Sequence, residues 1–87
     1  MSELYIPATV FFENYYHDMI ELMMEYNEFK IEFLSVSGLT PLFSTNVAEF
    51  NSRAEGIEFD FVSGMVRDMV FVFEIGTITV FNDYTMM

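Results

Sequence analysis

The stretch from residue 8 to residue 28 constrains the fold most, because its apolar residues return every three or four positions: Ala8, Phe11, Phe12, Tyr15, Met19, Leu22, Met23 and Tyr26. That period predicts one amphipathic helix. Pro7 suits its first turn, where a missing N–H costs nothing, and Asn27 can help to end it. The opposite face collects Glu13, Asn14, His17, Asp18, Glu21, Glu25 and Glu28, with no lysine or arginine among them. Like charges three and four residues apart cost about 0.2–0.5 kcal/mol per pair, so helix stability alone would not favour this arrangement.

Beyond the helix the period changes to two. Phe29, Ile31 and Phe33 alternate with Lys30 and Glu32, which predicts a half-buried strand over residues 29–36, broken by Gly38-Leu39-Thr40-Pro41. Residues 45–54 can form a short second helix capped by Thr45 or Asn46, with Val47, Phe50 and Ala54 inward. Ile57, Phe59 and Phe61 alternate with Glu58 and Asp60 and read as a second strand, followed by a Ser63-Gly64 turn. Residues 67–73 are largely apolar on both faces, as in a central strand, and Glu74-Ile75-Gly76 turns them into a last strand over 77–81. The expected fold is α+β: a long N-terminal amphipathic helix packed on a mainly antiparallel sheet of about four strands, with a short second helix. At 87 residues the chain is expected to form one domain, 1–87, around one core.

Eleven Phe, five Tyr and eight Met lie in a chain that is 53% apolar, which excludes an acidic disordered tail. A domain of this size hides only roughly 60–65% of the surface its unfolded chain exposes. With one helix on one sheet face, the other face, bearing some of Leu34, Val36, Val70, Val72 and Phe81, calls for cover. A homodimer or an apolar partner would supply it, or else the second helix and the 39–43 loop. The longest apolar run, Met69-Val70-Phe71-Val72-Phe73, is the length of a strand and not of a bilayer span. The N-terminal residues lack the basic region of a secretory signal, so a cytoplasmic protein is expected. The chain has no cysteine, which excludes disulfides, thiolate metal sites and a cysteine nucleophile.

Fourteen acidic residues against three basic ones give a net charge of −11, which argues against direct binding of nucleic acid or an anionic membrane. His17 is the lone histidine, and no nucleophile motif, P-loop or dinucleotide-binding glycine pattern is present, so no enzyme activity and no cofactor are expected. Glu13, His17 and Glu21, with Asp18, have spacings that could hold a divalent metal, but an acidic helix brings carboxylates this close by composition alone, and no metal is expected. The carboxylates point instead to a protein partner. Asp18, Glu21, Glu25 and Glu28 recur at steps of about 5–6 Å, of the order of phosphate spacing along a nucleic-acid strand. Glu13 and Glu32 flank them, and Glu58 and Asp60 would extend the surface from the sheet. Such a surface would mimic a phosphate backbone and occupy the basic nucleic-acid-binding surface of a partner. The alternative is a homodimeric adaptor that docks another protein through an apolar sheet or Phe/Met surface, with acidity serving solubility. In size and charge the chain resembles the small acidic inhibitors that bacteriophages use against host nucleic-acid enzymes, such as anti-CRISPR and anti-restriction proteins. That resemblance implies a host cytoplasmic setting and assigns no residues.

Overall fold

The structure, a computed structural model, describes residues 2–35, 38–40 and 46–84. In chain order these form β1 (Ser2–Pro7), a helical segment α1 (Ala8–Val10, Phe11–Tyr15 and Tyr16–Glu25), β2 (Phe29–Ser35), β3 (Gly38–Thr40), α2 (Val47–Val62), β4 (Val66–Phe73) and β5 (Gly76–Phe81). The α+β class is as expected. The sheet is mixed: four strands of six to eight residues stand in the order β1-β5-β4-β2, and the three-residue β3 extends the β2 edge. β1 runs parallel to β5 and all other neighbours are antiparallel.

Period-two alternation places β2, and an apolar run on both faces places β4, as expected. Phe29, Ile31 and Phe33 lie opposite Phe73, Phe71 and Met69, so all six share one face of the sheet. β4 is central, and between Leu34 and Ser35 its register slips: Leu34 pairs with Asp68 and Ser35 with Val66. Arg67 is therefore the extra residue of a bulge, which lets Val66 and Met69 both turn inward. Gly38–Thr40 does not break the sheet but returns as β3. Val36, Pro41, Thr45 and most of the 39–43 loop lie outside the described residues.

Two expectations are corrected. Ile57, Phe59 and Phe61 are not a strand, because α2 continues through them to Val62. Ile57 and Phe61, four residues apart, satisfy a period of two and one of 3.6 alike, and the helix ends decide between them. The Asn46 side chain accepts a hydrogen bond from the Glu49 N–H at 2.7 Å, with Glu49 itself in the first turn. At the other end Gly64, at φ 83°, takes the left-handed conformation. There the Gly64 N–H reaches the Phe61 carbonyl and the Met65 N–H the Asp60 carbonyl, a Schellman closure. The Ser63-Gly64 turn is thus a helix stop. Phe50, Ile57 and Phe61 are buried, while Phe59 is 65% exposed.

The second correction lies in α1, which ends at Glu25 and carries a π-helical turn at Phe11–Tyr15. The extra residue of that turn rotates the remainder of the helix, so Tyr16, five residues after Phe11, takes the inward place expected of Tyr15. Tyr16 stacks on Phe50 at 5.7 Å, and Tyr15 faces solvent. Phe12 and Leu22 are partly buried, whereas Phe11, Met19 and Met23 are fully so.

Both helices lie on the same sheet face. Phe71, at the middle of β4, meets Phe11 of α1 at 5.9 Å and Phe50 of α2 at 5.6 Å. The residues after β5 close the ends of this layer. Asn82 Nδ2 donates to the Phe61 and Val66 carbonyls, both at 2.7 Å, and so holds the end of α2 against the start of β4. Asp83 accepts from the Thr9 N–H at 3.0 Å and the Thr9 hydroxyl at 2.6 Å, capping the first turn of α1 in place of Pro7, whose ring offers no acceptor.

Replacing Phe71 with Ala is expected to cost about 3–5 kcal/mol in chemical denaturation, the range for a buried aromatic, while Phe59→Ala should stay within about 0.5 kcal/mol. Asp83 supplies a pH-dependent term. Desolvation pushes its carboxyl up, but the hydrogen bonds from the Thr9 hydroxyl and nearby backbone N–H groups outweigh that and hold it below the ordinary value of 3.8. A carboxyl depressed by folding stabilises fully above its unfolded pKa and loses that effect as pH falls through its folded one. Asp83→Ala should therefore cost about 1 kcal/mol near neutral pH, with the gap to wild type closing as pH drops below about 4.

Candidate protein-binding surfaces

The acidic residues singled out in the sequence divide among three places. Asp18, Glu21 and Glu25 lie in the regular part of α1 and are all exposed. At about 100° per residue they fall within an arc of roughly 60°, on the side away from buried Met19 and Met23. No lysine or arginine occurs in α1 to offset them. Glu13 is exposed in the π turn at the other end of the helix.

Glu28 is exposed but comes after the helix end, because Tyr26 leaves helical geometry at φ −113° and ψ 85°. It extends the row along the connecting segment rather than at helical spacing. Glu32 does not join the row: it faces out from β2 opposite Val70, on the sheet face that the helices do not touch. Glu58 and Asp60 belong to α2 and not to a strand.

Glu58 nevertheless joins Glu13 through a route hidden in the sequence. Burial first, and then the charges of Glu58, Asp83 and Glu13, raise the Tyr84 phenol above its ordinary value. The charges of carboxylates from α1, α2 and the segment after β5 are thus all felt at one tyrosine. Nothing in local sequence could show it, since the contributing positions are brought together only when the end of β5 meets the start of α1. A hydrogen bond from the Tyr16 hydroxyl to Asn51 Oδ1 also links the two helices on this side.

α2 presents a different surface. Glu49 and Arg53 pair at 3.5 Å one turn apart, and exposed Phe59, Val62 and Met65 lie further along. An apolar groove of about 120 Å³, with Leu4, Leu22, Phe73 and Ile78 in its lining, lies where α1 ends near the β1–β5 edge. It is well below the roughly 300–1,000 Å³ of a small-molecule site. Among the described residues no three His, Asp or Glu side chains are placed to hold a metal ion, and no helix is long and apolar enough to cross a membrane.

The second extended surface is the outer face of the sheet. Neither the second helix nor any other described element packs over it, since the buried residues of α1 and α2 all meet the opposite face. Register arranges its side chains in three rungs across β1, β5, β4 and β2. The first holds Pro7, Phe81, Asp68 and Leu34, the second Tyr5, Thr79, Val70 and Glu32, the third Glu3, Thr77, Val72 and Lys30. Arg67 sits beside this face, its Nε 3.5 Å from the Asp68 carboxylate. The Tyr5 hydroxyl donates to Glu3 at 3.2 Å, and that hydrogen bond, with the charge of Glu3, raises the phenol. In comparisons with known proteins, no family model, no curated protein and no solved structure matches the chain.

Proposed function

We propose that this protein is a binding protein and not an enzyme, and that the acidic outer face of α1 occupies the basic nucleic-acid-binding surface of a partner protein. The observation that carries the proposal is the row Asp18, Glu21 and Glu25, which points straight away from the core with no cation on its helix. Glu13, with Glu58 and Asp83 around Tyr84, continues the negative surface at one end, and Glu28 continues it at the other. Solubility needs net charge but not a helix face of one sign with no cation between the carboxylates, where like charges at three and four residues oppose helix formation. A basic channel that attracts phosphates attracts this row by the same field, and the two ligands then compete. Glu32 has no part in this surface.

Reversing Glu21 and Glu25 together to Lys should leave the fold intact, because exposed substitutions usually stay within about 0.5 kcal/mol and these relieve repulsion. Binding should suffer far more, at least about tenfold, given that close charge pairs at interfaces contribute about 1.5–7 kcal/mol each. The measurement is a competition titration with DNA or RNA for a partner recovered from bacterial lysate, at low and high salt. Steep loss of affinity with salt and mutual displacement are expected. Simultaneous, undisturbed binding of protein and nucleic acid, or full affinity of the lysine variant, would refute direct mimicry by α1.

A further inference from the structure

The outer face of the sheet is complementary to itself, and from this we infer that a second copy of the chain docks on it, sheet face to sheet face. A twofold axis parallel to the strands and midway between β5 and β4 lays β5 of one copy over β4 of the other and β1 over β2. Positions along the strands are kept by such an axis, so each rung meets itself reversed. Glu3 then opposes Lys30 of the partner copy, and the pair occurs twice. Tyr5 opposes Glu32, which can take over its hydroxyl hydrogen from Glu3 once Glu3 turns to Lys30, and Val70 and Val72 pack on Thr79 and Thr77 at the centre. In the first rung Pro7 meets Leu34, and Phe81 meets Asp68, whose carboxylate keeps its pairing with Arg67. Within one copy Glu3 and Lys30 stand three strands apart, about 14 Å, too far to pair with each other. Sheets packed this way cross at about 30°, an offset that long Glu and Lys side chains accommodate.

Charge selects this face for self-association. Lys30 and Arg67 stand here against Glu3, Glu32 and Asp68, two cations to three carboxylates, whereas the whole chain has three to fourteen. Two copies approaching by their helix faces would meet acid with acid. The four strands offer roughly 19 by 20 Å of surface, which is small beside stable homodimer interfaces and fits a reversible dimer. Because the axis lies within the sheet interface, α1 of each copy stays on the outside. The inference does not depend on what that helix binds.

Sedimentation equilibrium of the intact chain tests it. A mass above 10.2 kDa that climbs toward twice that value as concentration rises through the micromolar range is expected. Lys30→Glu and Glu3→Lys each place like charges at both corners and should weaken the dimer at least about tenfold. Combining them restores opposite charges at each corner and should return the affinity to within about threefold of wild type. All three variants alter exposed side chains, and circular dichroism is the check that they keep the fold. Added salt should leave the dimer intact or strengthen it by screening the repulsion between two acidic chains, the reverse of its effect on a complex made through α1. The Glu21→Lys, Glu25→Lys variant should dimerise as wild type does. A wild-type monomer throughout the micromolar range overturns the inference. So do single reversals without effect, or a double variant no better than either single one.

Discussion

Everything in this molecule is arranged around the burial of Phe71 between Phe11 and Phe50. One aromatic side chain at the centre of the central strand can serve two helices only if both come to the same side of the sheet. Each aromatic ring buries a large apolar area and favours tilted or edge-on contact with its neighbours, which the separations of 5.6 and 5.9 Å allow. Once both helices are committed to that side, their polar faces have nowhere to go but outward. The second face of the sheet is left to solvent or to a partner.

Two residues beyond the last strand give this layer its definition. Asn82 directs both amide hydrogens to carbonyls at the end of α2 and the start of β4, and its oxygen accepts from the Tyr84 N–H at 2.8 Å. Next to it Asp83 caps α1, seventy-four residues away in sequence. The parallel pairing of β1 with β5 makes both contacts possible, because it sets the start of α1 beside the exit of β5. The same closure gathers Glu13, Glu58 and Asp83 around Tyr84.

The two proposed surfaces answer to different forces. On α1, charge of one sign is concentrated where desolvation is small, so its interactions act at long range and fade with salt. On the sheet, charges of both signs surround valines and threonines, and contact there needs shape and register before charge matters. One fold can hold both because the core separates them: helices above, open strand face below.

The helix over the first quarter of the chain, the strands built around Ile31, Phe71 and Ile78, and the outward set of Asp18, Glu21 and Glu25 were all legible in the sequence, because each arises from local signals: side-chain period, an apolar run on both faces, or a turn. Where one pattern served two periods, local reading failed: Ile57 and Phe61 suit strand and helix equally, and only Asn46 and Gly64 at the ends mark the helix. β1 was missed, since Leu4 and Tyr5 stay exposed at a sheet edge and β5, with which it pairs, is about seventy residues further on. Glu32 alternates correctly along its own strand, yet which sheet face the helices cover is not a property of that strand. Tyr15 lost its inward place to the π turn, whose added residue no apolar pattern announces. Period and charge thus set which side of each element is wet or dry, while strand order and the shared seat on Phe71 decided which wet sides lie together, because that choice is made between segments distant in the chain.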